Sequence, residues 1–200
     1  MGKTIYLYDG SFNPITLGHK LLINSLLKDY DAKKVFVAPM PNFYRAIKPE
    51  LVDIQHRINM IKNLNIPGVE VLNISCLFNL ETFSLKGLLD FLSRVLCLEI
   101  IPVIGLDVLA DIENWYNGEE LLQSYNVMVF NRNDDNLVEI VDNSKLLSKY
   151  KDKIIVTNII ANEISSTKVR NRIDQFYEDQ CEDLIANSTF NYIKENNLYV

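Results

Sequence analysis

Histidine occurs only twice in these 200 residues, as His19 and His56, and that scarcity excludes a histidine-rich metal centre. Cysteine is almost as scarce. Cys76, Cys97 and Cys181 are odd in number, too scattered for a C-x-x-C pair and set among apolar or helical neighbours, so they read as small buried hydrophobes in a reducing compartment. No apolar run approaches the ~18 residues that a bilayer span requires, and the N-terminus enters a strand without a signal-peptide pattern, so a soluble, cytoplasmic protein is expected. A basic excess is missing too. Twenty Lys and Arg stand against 26 Asp and Glu, a net charge of −6, which argues against nucleic acid or an anionic membrane as partner. Small phosphorylated ligands remain, because they need only a few well-placed cations and backbone donors. With no internal repeat, low-complexity tract or Gly/Ser/Pro-rich linker, residues 1–200 read as one domain whose C-terminal part, from about 165, is helical.

What is present is concentrated first in Gly10-Ser11-Phe12-Asn13-Pro14-Ile15-Thr16-Leu17-Gly18-His19. Thr4 to Tyr8 (TIYLY) reads as a buried strand, and Lys20 to Leu27 continues as an amphipathic helix. Between them, Gly10 is free to take dihedrals closed to other residues and Pro14 keeps either element from running into the turn, which leaves backbone N–H groups for an anion. Gly18 lets the helix start close against the turn. His19 falls on the first helical turn, where the positive end of the helix and a ring N–H both favour phosphate.

The rest of the chain alternates. Strands are expected at Lys34 to Ala38, Val69 to Ile74, Leu98 to Ile104, Asn126 to Arg132 and Lys153 to Asn158, and helices at Leu51 to Leu64, Thr82 to Leu96, Glu119 to Ser124 and Leu137 to Tyr150. A short helical piece is expected at Val108 to Asp111, a polar loop at Asn131 to Asn136, and two helices in Ser165 to Asn197. Five or six strands separated by helices imply an α/β fold, a doubly wound, mostly parallel, Rossmann-like sheet with its ligands at the carboxyl ends of the strands. The glycine turn, Asp107 and the Ile164 region fall at such ends.

A second segment, Ile164-Ser165-Ser166-Thr167-Lys168-Val169-Arg170, puts hydroxyl residues at a helix start and a basic residue one turn in. Hydroxyls there are common helix caps, and the same arrangement suits phosphate. Thr16-Leu17-Gly18-His19 and this segment together resemble the T/H-x-G-H and I-S-x-T-x-x-R motifs of one nucleotidyltransferase superfamily. Within it, nearly the whole chain resembles the nicotinate or nicotinamide mononucleotide adenylyltransferases, with Ile104-Gly105-Leu106-Asp107, Trp115-Tyr116 and a tail carrying Tyr192-Ile193 and Leu198-Tyr199 as the clearest marks.

That resemblance implies adenylyl transfer from ATP to nicotinate mononucleotide, giving deamido-NAD and pyrophosphate, with Mg²⁺ arriving on ATP and no permanent protein-bound metal. It implies His19, Thr16 and Arg170 as catalytic residues. ATP would be held by Gly10, Ser11, Phe12, Gly18, His19, Gly105, Asp107, Ile164, Ser165, Ser166, Thr167 and Arg170, with Asp107 at the ribose or the metal-bound water. The mononucleotide would be held by Asn13, Arg45, Lys48, Arg57, Ser84 and Trp115, the tryptophan stacking on the pyridine ring and one of the three basic residues taking the phosphate. Partners would be ATP and a pyridine mononucleotide, with neither nucleic acid nor membrane, and a homo-oligomer is compatible with the family. Three alternatives stay open: the nicotinamide form as acceptor, a pantetheine-phosphate adenylyltransferase, and a silent nucleotide-binding module on the same fold. Asn13 and Thr16 match the nicotinamide side of the family, whereas the tail and the Gly105 to Tyr116 region resemble the bacterial nicotinate enzymes. The family's S-Y-T-x-x-T-L element is degraded here to Thr82-Phe83-Ser84-Leu85-Lys86-Gly87-Leu88.

Overall fold

Six short apolar runs pair side by side in the computed structural model, which describes residues 4–79, 81–131, 137–160, 164–175 and 181–200. They are β1 (Ile5–Gly10), β2 (Lys34–Pro39), β3 (Val69–Val71), β4 (Ile100–Gly105), β5 (Val127–Asn131) and β6 (Ile154–Ile160). All neighbours run parallel, in the order β3-β2-β1-β4-β5-β6. The helices are α1 (Leu17–Lys28), α2 (Ile54–Lys62), α3 (Leu85–Leu96), α4 (Leu106–Leu109), α5 (Gly118–Ser124), α6 (Leu137–Asn143), α7 (Lys145–Lys149), α8 (Ser166–Gln175) and α9 (Asn187–Glu195). The chain winds from β1 out to β3, then returns to lay β4 on the other side of β1. That reversal opens a crevice beyond the carboxyl ends of β1 and β4.

Side-chain alternation along the strands builds a core on each face. Tyr6 and Tyr8 of β1, Val35 and Val37 of β2 and Val103 of β4 share one cluster with Leu22, Ile23 and Leu26 of α1, Met60 and Ile61 of α2, Val169 of α8 and Ile193 of α9. Ile5, Leu7, Phe36, Ala38, Ile100 and Ile104 share the other with Leu85, Leu88, Leu89 and Leu92 of α3 and Leu121 and Leu122 of α5. Both faces of β4 are covered, which is why its sequence is apolar without alternation.

Several boundaries differ from the sequence expectation for visible reasons. The helix expected from Leu51 starts at Ile54 because the Asp53 carboxylate caps it, accepting the Gln55 N–H. The helix expected over Leu137 to Tyr150 is broken at Ser144, whose hydroxyl accepts the Leu147 N–H and opens α7. A short helix forms at Leu106–Leu109 rather than at Val108 to Asp111, followed by a 3₁₀ turn at Ile112–Asn114. Gly10 does not supply the unusual dihedral of the first turn. Phe12 does, with φ of 45°, a strained value for a residue with a Cβ that is offset by burial of its ring edge-on to Tyr8 at 5.1 Å. Cys181 is buried as expected, whereas Cys76 and Cys97 are exposed. Residues 132–136 of the expected polar loop lie outside the described residues.

Candidate active site

The crevice is a cleft of about 1120 Å³, spacious for a single nucleotide. Its floor is the end of β1, and two helix starts meet side by side at its edge. Thr16 caps α1 with its side chain, accepting the His19 N–H, while His19 returns the bond by accepting the Thr16 N–H on Nδ1 at 2.9 Å. That reciprocal box fixes the imidazole. With Nδ1 as acceptor, the neutral ring carries its proton on Nε2, the tautomer in which the other end of the ring is a donor. The Leu17 N–H is taken by the Leu184 carbonyl at 2.8 Å, so the segment before α9 also holds this helix start in place.

The second start is that of α8. Ser165 Oγ accepts the Lys168 N–H, and Ser166 Oγ donates to the Pro14 carbonyl at 2.8 Å, tying α8 to the turn before α1. Arg170 donates from Nη1 to the Asn13 carbonyl at 2.9 Å and from Nη2 to Thr167 Oγ1. A Cβ at Gly18 would lie 3.4 Å from the Ile164 carbonyl oxygen, so glycine there keeps room between the two helix starts.

The turn itself is propped from behind. Asn13 is buried, with its amide shared among the Glu50 carbonyl, the Val52 N–H and the Tyr199 hydroxyl. Arg57 is fully buried and donates to the carbonyls of Val52 and Ser11. Burial pushes its guanidinium down to about 10, so it is charged at neutral pH. No ion pair neutralises it among the described residues, and its Nη2 is buried without a hydrogen-bond partner. A cation immediately behind the Ser11 carbonyl makes the turn electropositive without touching the ligand.

The other half of the cleft is aromatic. Tyr44, Phe83, Trp115 and Tyr116 line it, with Tyr44 and Phe83 edge to face at 5.7 Å. Ser84 lies there as the cap of α3, accepting the Gly87 N–H. Trp115 is set by Gly118, whose N–H donates to the Trp115 carbonyl and where a Cβ would fall 2.1 Å from the Ile112 carbonyl oxygen. Lys48 reaches over the turn to Ser11 Oγ at 3.3 Å.

Of the residues expected from sequence, Gly10, Ser11, Phe12, Asn13, Thr16, Gly18, His19, Lys48, Ser84, Gly105, Trp115, Ile164, Ser165, Ser166 and Arg170 line this cleft. Four do not. Arg45 is exposed, its Nε given to the Leu51 carbonyl, and Arg57 is a buried prop, so Lys48 is the one of the three basic candidates at the cleft. Thr167 holds the Arg170 guanidinium instead of facing in. Asp107 is exposed on α4 outside the lining, whereas Asp111 lies within it. The sequence reading missed Asp9, Tyr44 and Phe83. An aromatic after Pro41 and an acid before Gly10 carried no spacing signal of their own. Among the described residues no group of three His, Cys, Asp or Glu side chains could hold a metal, and no helix is long and apolar enough to cross a membrane.

Residues 7–172 match the cytidylyltransferase-like family model. The chain is 33% identical over 84% of its length, and 86% of the relative's, to a Fusobacterium nucleatum protein described as a probable nicotinate-nucleotide adenylyltransferase. A protein of Acholeplasma laidlawii with the same description is 29% identical over 98% of this chain and 97% of its own. The solved nicotinic acid mononucleotide adenylyltransferase of Plasmodium falciparum, complexed with APC, is similar in fold at a TM-score of 0.78 and 22% identity, over 99% of this chain and 98% of that one.

Proposed function

Since this chain belongs to the cytidylyltransferase-like family and, within it, to the nicotinate-nucleotide adenylyltransferases, we propose that its cleft joins ATP to nicotinate mononucleotide, releasing pyrophosphate and deamido-NAD. The observation that carries this reading is the division of one cleft into a phosphate half, where α1 and α8 both start, and an aromatic half around Trp115. A phosphate oxygen of the mononucleotide attacks the α-phosphorus of ATP, a P–O bond forms, and the bond from the α-phosphorus to the bridging oxygen breaks as pyrophosphate leaves. The nucleophile is already an anion, so no general base is needed. The protein's work is to hold two polyanions in line and to stabilise charge on the α-phosphate and the leaving group.

His19 donates from Nε2 to the α-phosphate, and Thr16 acts through it as a positioning residue. Ser165, Ser166 and Arg170 meet the β- and γ-phosphates, Arg170 exchanging its bond to the Asn13 carbonyl for the ligand. Lys48 and the turn amides take the mononucleotide phosphate, Trp115 stacks on the pyridine ring, and Asp111, which lines the cleft as Asp107 does not, meets the ATP ribose or the metal-bound water. Mg²⁺ enters as part of the ATP substrate. The reaction is placed in the cytoplasm, and no helix among the described residues is long and apolar enough to cross a membrane.

One observation favours the nicotinamide form as a second acceptor. Asp9 puts a carboxyl group beside the mononucleotide turn in the cleft, which weakens any preference for an acidic ring. The test is incubation with ATP, Mg²⁺ and, separately, nicotinate mononucleotide, nicotinamide mononucleotide and phosphopantetheine, with pyrophosphate and product measured. Pyrophosphate with both pyridine acceptors, more with the nicotinate form, is expected. Formation only with phosphopantetheine, or none at all, overturns the assignment.

A further inference from the structure

Asp9 is the one strand residue of β1 whose chemistry contradicts its position. Alternation puts Ile5, Leu7 and Asp9 on the same face of the sheet. Ile5 and Leu7 are 3% and 0% exposed, packed with Leu85, Leu88 and Leu89 of α3, so the next residue in that row is expected to be apolar. It is a carboxyl group instead, and it lines the cleft. Its own backbone N–H is the only protein donor to it among the described residues. Lys48 attracts it from nearby, yet the ammonium goes to Ser11 Oγ at 3.3 Å and to Met40 Sδ at 3.9 Å and forms no ion pair with it. Burial, only partly countered by that N–H and by Lys48, pushes the Asp9 carboxyl up to about 6. The same carboxylate, after burial, helps push the Tyr44 phenol up to about 12, which places the two groups close together.

A carboxylate in a cleft with its own backbone N–H as its one donor among the described residues has acceptor sites to spare, which calls for a ligand that brings donors. The surroundings say which. The phosphate turn begins at the next residue, and Tyr44 and Trp115 form the aromatic wall beyond. A mononucleotide with its phosphate on the turn and its ring on that wall must lay its sugar across Asp9. We propose that Asp9 recognises the acceptor's ribose, its two carboxylate oxygens accepting hydrogen bonds from the adjacent 2′ and 3′ hydroxyls. This inference rests on the mononucleotide acceptor proposed above. It also orients that acceptor: the negative charge at Asp9 excludes a ring carboxylate from the cleft floor, so the ring's substituent points outward toward the start of α3.

The test compares kcat/KM for the ribo mononucleotide and its 2′-deoxy counterpart in the wild type, Asp9→Asn and Asp9→Ala, with 2′-deoxy-ATP as a control on the other sugar. The wild type is expected to favour the ribo acceptor at least tenfold. Asp9→Ala is expected to treat the two acceptors alike within about twofold, through a raised KM for the ribo form, with KM for ATP and the discrimination against 2′-deoxy-ATP both kept. Asp9→Asn, which retains one oxygen acceptor, retains part of the preference. A merely structural role for Asp9 would not move the ratio between two acceptors. Discrimination that survives in Asp9→Ala, or that is lost there for 2′-deoxy-ATP instead, overturns the proposal. Turnover of pyridine mononucleotides by a wild type indifferent to the 2′ hydroxyl also overturns it while leaving the reaction standing, whereas no turnover with any pyridine mononucleotide removes both.

Discussion

His19 shows how little a single side chain needs in order to be committed to a role. One bond, from the Thr16 N–H to Nδ1, selects the tautomer and leaves Nε2 as a donor at the helix start. His19→Ala is expected to stay folded, at a cost of about 1 kcal/mol for the lost bond from the Thr16 N–H, while turnover falls roughly a hundredfold or more, the usual size for losing one transition-state donor. Near-normal turnover in the folded variant would take His19 out of the chemistry. Asp9 carries a prediction of the opposite kind, about stability. Its carboxyl is held up at about 6, above the usual carboxylate value, so the folded state binds the proton more tightly than the unfolded one. Stability contributed by the protonated form is thus present at about pH 4 and is lost as pH rises through 6. The titratable groups facing it are Lys48, which is charged, and Tyr44, which stays neutral, both from the segment after β2; β4 and α3 present Ile104, Ser84 and Leu85, which do not titrate in this range. Asp9→Val, which continues the apolar row and cannot titrate, should be more stable than the wild type by about 1–3 kcal/mol at pH 7.5 and lose that advantage near pH 4, read by urea unfolding at each pH. An advantage that does not change with pH would mean that the carboxyl is not strained by burial.

At the level of elements, the site is made of starts and ends. β1 stops where α1 begins, and α8 opens against the same turn, so the two phosphate-facing helices are coupled through Pro14 and Asn13. The first of these elements was legible because glycine, proline, a hydroxyl cap and an apolar periodicity fall together within Gly10 to Leu27, each pointing to the same turn. The second was legible from its hydroxyls, although those residues divide their work: Ser166 ties the turn, Ser165 caps the helix and Thr167 holds Arg170. Arg57 was not legible. On a helix surface an arginine reads as a solvent-facing charge, and only the fold, by running the Ser11 and Val52 carbonyls beside α2, turns it inward. Trp115 was legible as a lone aromatic near a loop, but its support was not, because the clash that makes Gly118 necessary involves the 3₁₀ turn at Ile112–Asn114. Gly118→Ala should displace that turn and weaken the acceptor several-fold while KM for ATP stays within about twofold. The physical cause is an added methyl 2.1 Å from the Ile112 carbonyl oxygen, and steady-state titration of each substrate checks it. A change in the ATP constant alone would separate Trp115 from the acceptor half.

Across the whole molecule, the phosphate turn gathers contacts from segments far apart in sequence: α2, α8, the stretch before α9 and the tail all bond to it or to the start of α1. Such a turn resists deformation as a unit, so a change remote from the cleft should be felt by both substrates. Tyr199→Phe removes the hydroxyl that donates to Asn13 Oδ1 at 3.0 Å but leaves the Val52 N–H on that oxygen, and a loss of about 1 kcal/mol in unfolding free energy is expected. KM for ATP and for the acceptor should rise together and by similar factors; a rise in one alone would show that the tail acts on one half of the cleft. The doubly wound order itself was legible from alternating strands and helices, whereas this convergence was not, since nothing in a local pattern pairs Asn13 with Tyr199. The two stand 186 positions apart, which sets a schedule for biosynthesis. At ~5–20 residues per second, the turn leaves the ribosome roughly 10–40 s before the tyrosine that latches it. The part of the protein that grips nucleotide is thus made early and secured late, and a nascent chain holds its substrates at full strength only after the tail segment has emerged.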